Sequence, residues 1–333
     1  MPRRMGRFRC LQKLPLLVLG ERTPYEGWGL VAQLEEIRAL KNIKGDLFIQ
    51  VRIPADARYV LENSQQGGYL SEHQRLTKIT FRFPSSNFDE ALLKVLQPHP
   101  SFKDLKLEGY CGKRMPYWAR KENLAIFLPN LVSFYLQSCH KLQHIAVLGR
   151  LPKLEFLRLE DLPDLEYIEG TTMSRHSGVV GAWESEESFF PSLEELEPWG
   201  LQKLKGWWGD GGNTNQQHGL LLPSFPCLSH LKIEYCPNLT CVPLCPSVEV
   251  LTTVDCNANL RVVQTIESGN SRLRSVETDG VGRLKLMLPM EAFQHVNQMY
   301  IWLDKEVENL SDAEVLSSCS SLLRTFKFGI GIN

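Results

Sequence analysis

Apolar residues return along this chain in one frame: apolar, two variable, apolar, one variable, apolar. It reads Leu76-x-x-Ile79-x-Phe81, Phe102-x-x-Leu105-x-Leu107, Leu131-x-x-Phe134-x-Leu136, Leu154-x-x-Leu157-x-Leu159, Leu193-x-x-Leu196 and Leu228-x-x-Leu231-x-Ile233. Degenerate copies start at Val248, Leu273, Val296 and Leu323. By subtraction of residue numbers, successive starts differ by 26, 29, 23, 39, 35, 20, 25, 23 and 27. The last two apolar positions are two apart, so a short strand points both to one side. The first lies on the turn entering that strand. One such unit cannot bury its apolar side alone, and stacked neighbours make a continuous core. Most intervals fall in or near the range of about 20–29 residues of leucine-rich repeats. Cys139-His-Lys-Leu142 and Cys236-Pro-Asn-Leu239 follow their frames as a second apolar group lining the back. A plain β-sandwich would not restore the same frame and tail. The pattern predicts an α/β repeat, a leucine-rich-repeat solenoid. It would be a curved horseshoe with short parallel strands on its concave face and loops or short helices on its convex side. Residues 1–333 read as a single domain, with clear repeats over 76–256 and degenerate ones over 257–333.

The two long intervals contain Gly170 to Ser188 and Gly206 to Gly219, rich in Gly, Ser, Asn, Gln and acid. They read as inserted surface loops, about 170–188 and 206–219. Trp183, Trp199, Trp207 and Trp208 cluster in and around them. Pro198 occupies the last apolar slot of the Leu193 frame; it cannot donate to a ladder, so that repeat is expected to be bent or poorly paired.

Composition sharpens this picture. Leucine supplies 51 of 333 residues, an excess that the frame explains. With 37 Lys+Arg against 38 Asp+Glu, a net charge of −1 argues against a nucleic-acid partner, which wants a strongly basic footprint. The neutrality is only a sum: residues 1–120 hold 20 basic and 12 acidic side chains, and 155–197 hold 2 and 12. Such blocks predict separated positive and negative zones that steer an oppositely patterned partner. No run reaches the ~18–20 apolar residues of a membrane span. Leu14 to Leu19 is too short for a signal segment and contains Pro15. Nine cysteines, most alone in apolar frames, fit a reducing compartment. The expected location is cytoplasmic or nuclear, not secreted.

Searches for chemistry return little. No H-E-x-x-H, G-x-S-x-G or kinase signature occurs, and His73, His140, His144 and His230 have no paired acid and nucleophile in sequence. Cys227, Cys236, Cys241, Cys245 and Cys256 contain no C-x-x-C clamp of the kind zinc favours. Cys139, Cys236 and Cys256 instead share one slot, five residues after the central apolar residue of a frame, where cysteine packs inward as a small hydrophobe. No catalytic residue, cofactor or metal is assigned, and enzymatic activity is not expected. The candidate surface is the strand face, where variable positions beside the inward residues point outward. Those positions are Lys103, Asp104, Lys106 and Glu108; Ser133, Tyr135 and Gln137; Phe156, Arg158 and Glu160; Glu194, Glu195 and Glu197; and His230, Lys232 and Glu234. Tyr135 and Phe156 stand out, because exposed aromatics are enriched in contact surfaces.

Several stretches, taken in order, carry a family resemblance: Leu11-Gln-Lys-Leu-Pro-Leu-Leu-Val-Leu-Gly20, Leu40-Lys-Asn-Ile-Lys-Gly-Asp-Leu-Phe-Ile49, Glu90-Ala-Leu-Leu-Lys-Val-Leu-Gln-Pro-His-Pro100 and Leu107-Glu-Gly-Tyr-Cys-Gly-Lys-Arg-Met-Pro-Tyr-Trp118. Leu128-Pro-Asn-Leu131, Leu148-Gly-Arg-Leu-Pro-Lys-Leu154, Phe190-Pro-Ser-Leu-Glu-Glu-Leu196 and Leu204-Lys-Gly-Trp-Trp208 continue it. The chain resembles the leucine-rich-repeat region of plant coiled-coil nucleotide-binding disease-resistance proteins up to about Cys256. The resemblance implies a protein-interaction module whose partners are a pathogen effector, a host protein the effector modifies, or a nucleotide-binding switch domain. The family's phosphate-cradling G-x-x-x-x-G-K-[ST] loop does not occur here, since Gly112-Lys113 is followed by Arg114 without the upstream glycine. The expectation is therefore a truncated receptor or a fragment that binds no nucleotide. The alternatives are an extracellular-type leucine-rich receptor or inhibitor, which would need a signal peptide, cysteine caps and L-x-G-x-[IL]-P tails, and a non-defence adaptor.

Overall fold

Where two apolar residues alternate with solvated ones over five positions, the chain buries them by extending and pairing with an identical neighbour. A computed structural model shows the paired strand at every frame that it describes, with the central residue buried in all but the last, where Phe326 is exposed. It describes residues 3–20, 29–52, 68–84, 89–120, 123–169, 190–208, 225–242, 245–257, 260–262, 271–279, 290–303 and 322–330. The expected loop at 170–188, with Trp183, lies outside them. These residues form two compact units, residues 1–154 with 159–164, and 155–158 with 165–333.

In the first unit the strands β1 (Leu16–Leu19), β2 (Gly45–Val51), β3 (Leu76–Arg82), β4 (Asp104–Glu108) and β5 (Ser133–Gln137) lie parallel in chain order. Their register keeps like positions side by side: Leu47, Ile79, Leu105 and Phe134 form one buried row, and Ile49, Phe81, Leu107 and Leu136 the next. Each such side chain contributes roughly 1.5–3 kcal/mol of hydrophobic stabilisation. Two of these strands lie upstream of the frames found by spacing. β1 obeys the frame through Leu14, Leu17 and Leu19. β2 departs from it, because its first buried residue, Ile43, stands four residues rather than three before Leu47. Gly45, with a φ of +79°, makes the altered entry possible, and the register shifts between Gly45 and Asp46.

Among the described residues three α-helices back these strands: α1 (Leu30–Ala39), α2 (Asp89–Val95) and α3 (Asn123–Phe127). In α1 the buried Leu30, Gln33, Leu34 and Ile37 recur at helical spacing, and Gln33 Oε1 accepts the Gly20 N–H at 3.0 Å. In α2 the buried Asp89 accepts the Cys111 N–H at 2.9 Å, and Trp118 Nε1 donates to Leu93 O at 2.9 Å. These buried polar groups of Gln33, Asp89 and Trp118 are thus bonded where the helices meet the repeat core.

The division between the units falls within β6 (Phe156–Glu160). The second unit continues with β7 (Tyr167–Glu169), β8 (Glu195–Trp199), β9 (Gly206–Trp208), β10 (His230–Glu234), β11 (Cys241–Val242) and β12 (Val250–Val254). It ends with β13 (Arg261–Val262), β14 (Ser275–Thr278), β15 (Gln298–Leu303) and β16 (Thr325–Ile330). The frame strands β8, β10, β12, β14, β15 and β16 are parallel, and short second strands pair β7 with β9 and β11 with β13. The expected loop at 206–219 is therefore corrected at its start: Gly206–Trp208 is a strand, with Gly206 opposite Tyr167. Trp207 anchors it, buried, its Nε1 donating to Cys241 O at 2.9 Å and its ring meeting Phe225 edge-on. Pro198 is buried in the frame slot; β8 and β10 stay in register at Glu195, Leu196 and Trp199, on either side of the residue that cannot donate.

A second recurring slot was invisible to hydrophobic spacing. Gly109, Ser138, Asp161, Gly200, Tyr235 and Asp255 each follow a frame by two residues and each have positive φ, between 49° and 70°. This turns the chain off the strand while the N–H still reaches the next repeat, as in Gly109 N to Gln137 O (2.8 Å) and Gly200 N to Glu234 O (3.0 Å). Left-handed backbone costs a non-glycine residue about 1–2 kcal/mol, least for Asp and Asn. The next residue turns inward: Tyr110, Cys139, Leu162, Leu201, Cys236 and Cys256 are all buried. The three cysteines occupy their predicted slot, Cys256 Sγ lying 3.2 Å from Ile233 O. Burial pushes the Cys139 and Cys236 thiols up to about 12.

Candidate protein-interaction face

The same alternation that buries the frame residues turns their neighbours outward in rows. In the first unit Phe48, Thr80, Lys106 and Tyr135 stand in one register row, and Gln50, Arg82, Glu108 and Gln137 in the next. Six of these side chains, Phe48, Arg82, Glu108, Lys106, Tyr135 and Gln137, form a connected set with Glu160. The Arg82 guanidinium lies 4.9 Å over the Phe48 ring and 2.5 Å from the Glu108 carboxylate. Lys106 Nζ is 2.6 Å from Glu108 and 4.1 Å over the Tyr135 ring. Tyr135 Oη donates to Glu160, whose other oxygen accepts Gln137 Nε2 at 2.9 Å. Partial burial opposes ionisation of Glu108, yet the bonds from Lys106 and Arg82 outweigh it and hold its carboxyl below the usual carboxylate range.

The second unit carries Arg158 and Glu197 as an ion pair at 3.3 Å, and Lys232 with Glu234 at 3.0 Å. His230 is exposed, in register with Glu195 and Val250. Phe156 is exposed at the start of β6. Further along, Lys232, Thr252, Glu277, Tyr300 and Lys327 share one row. Glu277 accepts Trp302 Nε1 at 2.7 Å, and Lys327 lies 5.4 Å over Tyr300.

Most of the positions picked from spacing thus lie on strands with their side chains at least partly exposed. Lys103 and Glu194 sit instead in the turn entering β4 and β8. There their carbonyls each accept two N–H groups of the next repeat, from Val132 and Ser133 and from Ser229 and His230. Spacing alone missed Phe48 and Arg82, which stand on outward positions of β2 and β3, and Trp199 and Tyr235 at the far ends of β8 and β10. Their signal was available: aromatic or charged residues one or two positions past an apolar frame residue.

Among the described residues no group of His, Cys, Asp or Glu is arranged to hold a metal ion, and no helix is long and apolar enough to cross a membrane. His73 is buried with Nε2 3.1 Å from Ile37 O, and burial pushes its pKa down.

Comparison with known proteins places these features in context. The family model described as R13L1/DRL21 LRRs matches residues 34–162. The putative disease resistance protein RGA1 of Solanum bulbocastanum is 27% identical over 80% of this chain and 24% of its own length. The putative disease resistance protein RGA4 of the same species is 27% identical over 90% of this chain and 27% of its own. The putative disease resistance protein At3g14460 of Arabidopsis thaliana is 25% identical over 69% of this chain. The chain spans about a quarter of the length of the first two relatives. Among solved structures, the leucine-rich repeat domain of the type III effector XCV3220 (XopL) aligns with 80% of this chain and 71% of that chain, at a TM-score of 0.38 and 12% identity.

Proposed function

From the premise that this chain is a leucine-rich-repeat region of the plant nucleotide-binding disease-resistance kind, we propose that it is a non-catalytic, intracellular protein-interaction module of the defence response. Its partner is a pathogen effector, a host protein that an effector modifies, or a nucleotide-binding switch domain that it restrains. The observation that supports this most is the register of the strand face. Frame positions are spent on the core, and the positions between them align as rows of charged and aromatic side chains, such as Phe48, Thr80, Lys106 and Tyr135. Such a surface can change its chemistry row by row without touching the fold, as recognition of varied proteins requires.

The test is direct binding between the purified chain and the nucleotide-binding switch module of one of the Solanum relatives, or an effector that such a relative detects, by titration calorimetry. A stoichiometric complex weakened at least tenfold by Tyr135→Ala with Arg158→Glu, at unchanged melting temperature, is the expected result. Binding indifferent to every strand-face substitution would overturn it. Stoichiometric retention of ATP or ADP by the purified chain would sink the non-catalytic reading.

A further inference from the structure

The far rim of the strands in the second unit carries one side chain that the fold does not require. In the left-handed slot the chain elsewhere uses Gly109, Gly200, Ser138, Asp161 and Asp255, residues that are glycine or small and polar. Tyr235 occupies the same slot at a φ of 55°. A bulky aromatic is out of place in that conformation. Its ring does not repay the strain by entering the core, for Tyr235 is 41% exposed. Glycine would serve the backbone as well here as it does at Gly200, so what tyrosine adds is its ring. Strain retained at an exposed side chain is a pointer to use.

The neighbours give that use a chemistry. The Tyr235 ring meets the Trp199 ring edge-on, with centroids 5.4 Å apart and planes at 69°, and Trp199 is itself 39% exposed. The Tyr235 N–H donates to Val254 O at 2.9 Å, which sets it beside the exposed Asp255. The Asp255 N–H donates to Asp279 Oδ2 at 2.8 Å, bringing a second carboxylate to the same rim. Trp199 stands in register with Glu234. Two exposed rings with the exposed Asp255 at the end of the neighbouring strand suit a planar cation: a guanidinium stacks on a ring while its parallel N–H groups meet a carboxylate, whereas an ammonium makes only the point contact.

We propose that Trp199, Tyr235 and Asp255 form a contact site for an arginine-bearing segment of the partner protein. The site rests on the interaction-module reading and adds the chemistry of one contact. Glu195, on the same strand β8 as Trp199, favours the approach of such a segment electrostatically, whereas Glu197 is already paired with Arg158.

The experiment titrates the full 333-residue chain with three blocked glycine-serine peptides that differ only in carrying two arginines, two lysines or two glutamines. The arginine peptide should bind at least fivefold more tightly than the lysine peptide, and the glutamine peptide should not bind. Tyr235→Gly and Asp255→Asn should each weaken the arginine peptide at least fivefold. Tyr235→Gly should melt no lower than the parent chain, since glycine fits the slot. Glu166→Gln, which removes a charge paired with Lys205 away from this rim, should leave binding unchanged. Equal affinity for arginine and lysine, undiminished binding by Tyr235→Gly, or a lowered melting temperature in that variant would overturn the site. So would a loss on Glu166→Gln equal to that on Asp255→Asn. If the arginine peptide fails while the switch module or effector still binds, the rim alone is refuted; if neither protein binds, the failure lies with the module reading.

Discussion

The two units solve the same packing problem and end with different surfaces. In the first, Arg82, Lys106, Glu108, Tyr135, Gln137 and Glu160 satisfy one another across neighbouring strands, and helices back the repeats. In the second, no α-helix occurs among the described residues; short parallel strands take the backing role, and aromatic rings stand exposed on or beside the frame strands at Phe156, Trp199, Tyr235 and Trp302, whereas the exposed rings of the first, Phe8 and Tyr117, lie off the strands. The frame residues are interchangeable between the units, whereas the outward positions are not. Burial therefore constrains a repeat only at its inward slots, leaving the remaining positions open to chemistry.

The sharpest way to break this comparison is at the backing elements. Trp118→Ala, beneath α2, and Trp207→Ala, at β9, should each cost about 3–5 kcal/mol, measured by denaturant unfolding. Hydrogen exchange should quicken around the mutated unit first. An identical exchange pattern for both variants would show that the division has no energetic meaning. Next in size is the left-handed slot: Gly109→Val should destabilise by about 1–2 kcal/mol or more, because a β-branched residue is the poorest fit at a φ of 70°. An unchanged midpoint would remove the strain argument from both units.

A smaller effect separates the units by pH. Burial pushes the His73 pKa below its usual value, so the folded first unit resists the proton that the unfolded chain accepts. Stability should be unaffected above about pH 6.5. It should fall as the pH drops from there toward the lowered folded pKa. His73→Gln should flatten this slope in an unfolding series between pH 7 and 5, and a slope that persists would assign it elsewhere. The smallest expected effect is on the paired surface: a double-mutant cycle of Arg82→Met and Glu108→Gln should give a coupling of at most about 1 kcal/mol, decreasing with salt. A larger value would make that network a structural element rather than a recognition surface.

Much of this was legible in the primary structure. Frames such as Leu131-Phe134-Leu136 predicted buried rows, and the cysteine slot at Cys139, Cys236 and Cys256 predicted inward thiols; both follow from a period of two within a strand and one repeat between strands. β2 escapes a fixed frame because Gly45 alters the entry to the strand, and β9 has the composition of a loop because Gly206-Trp207-Trp208 begins a glycine-rich stretch. Its pairing with β7 joins residues 39 positions apart, Tyr167 to Gly206, which no local pattern reports.

What the sequence determined by itself is the repeat, its strand positions and the inward set, since these depend on local alternation and hydrophobic burial. The tertiary structure alone decided which outward charges meet, because Arg82 and Glu108, or Trp199 and Tyr235, become neighbours only through strand register. It also decided the left-handed slot, where Gly, Ser, Asp and Tyr share one backbone conformation imposed by the next repeat rather than by their own preferences.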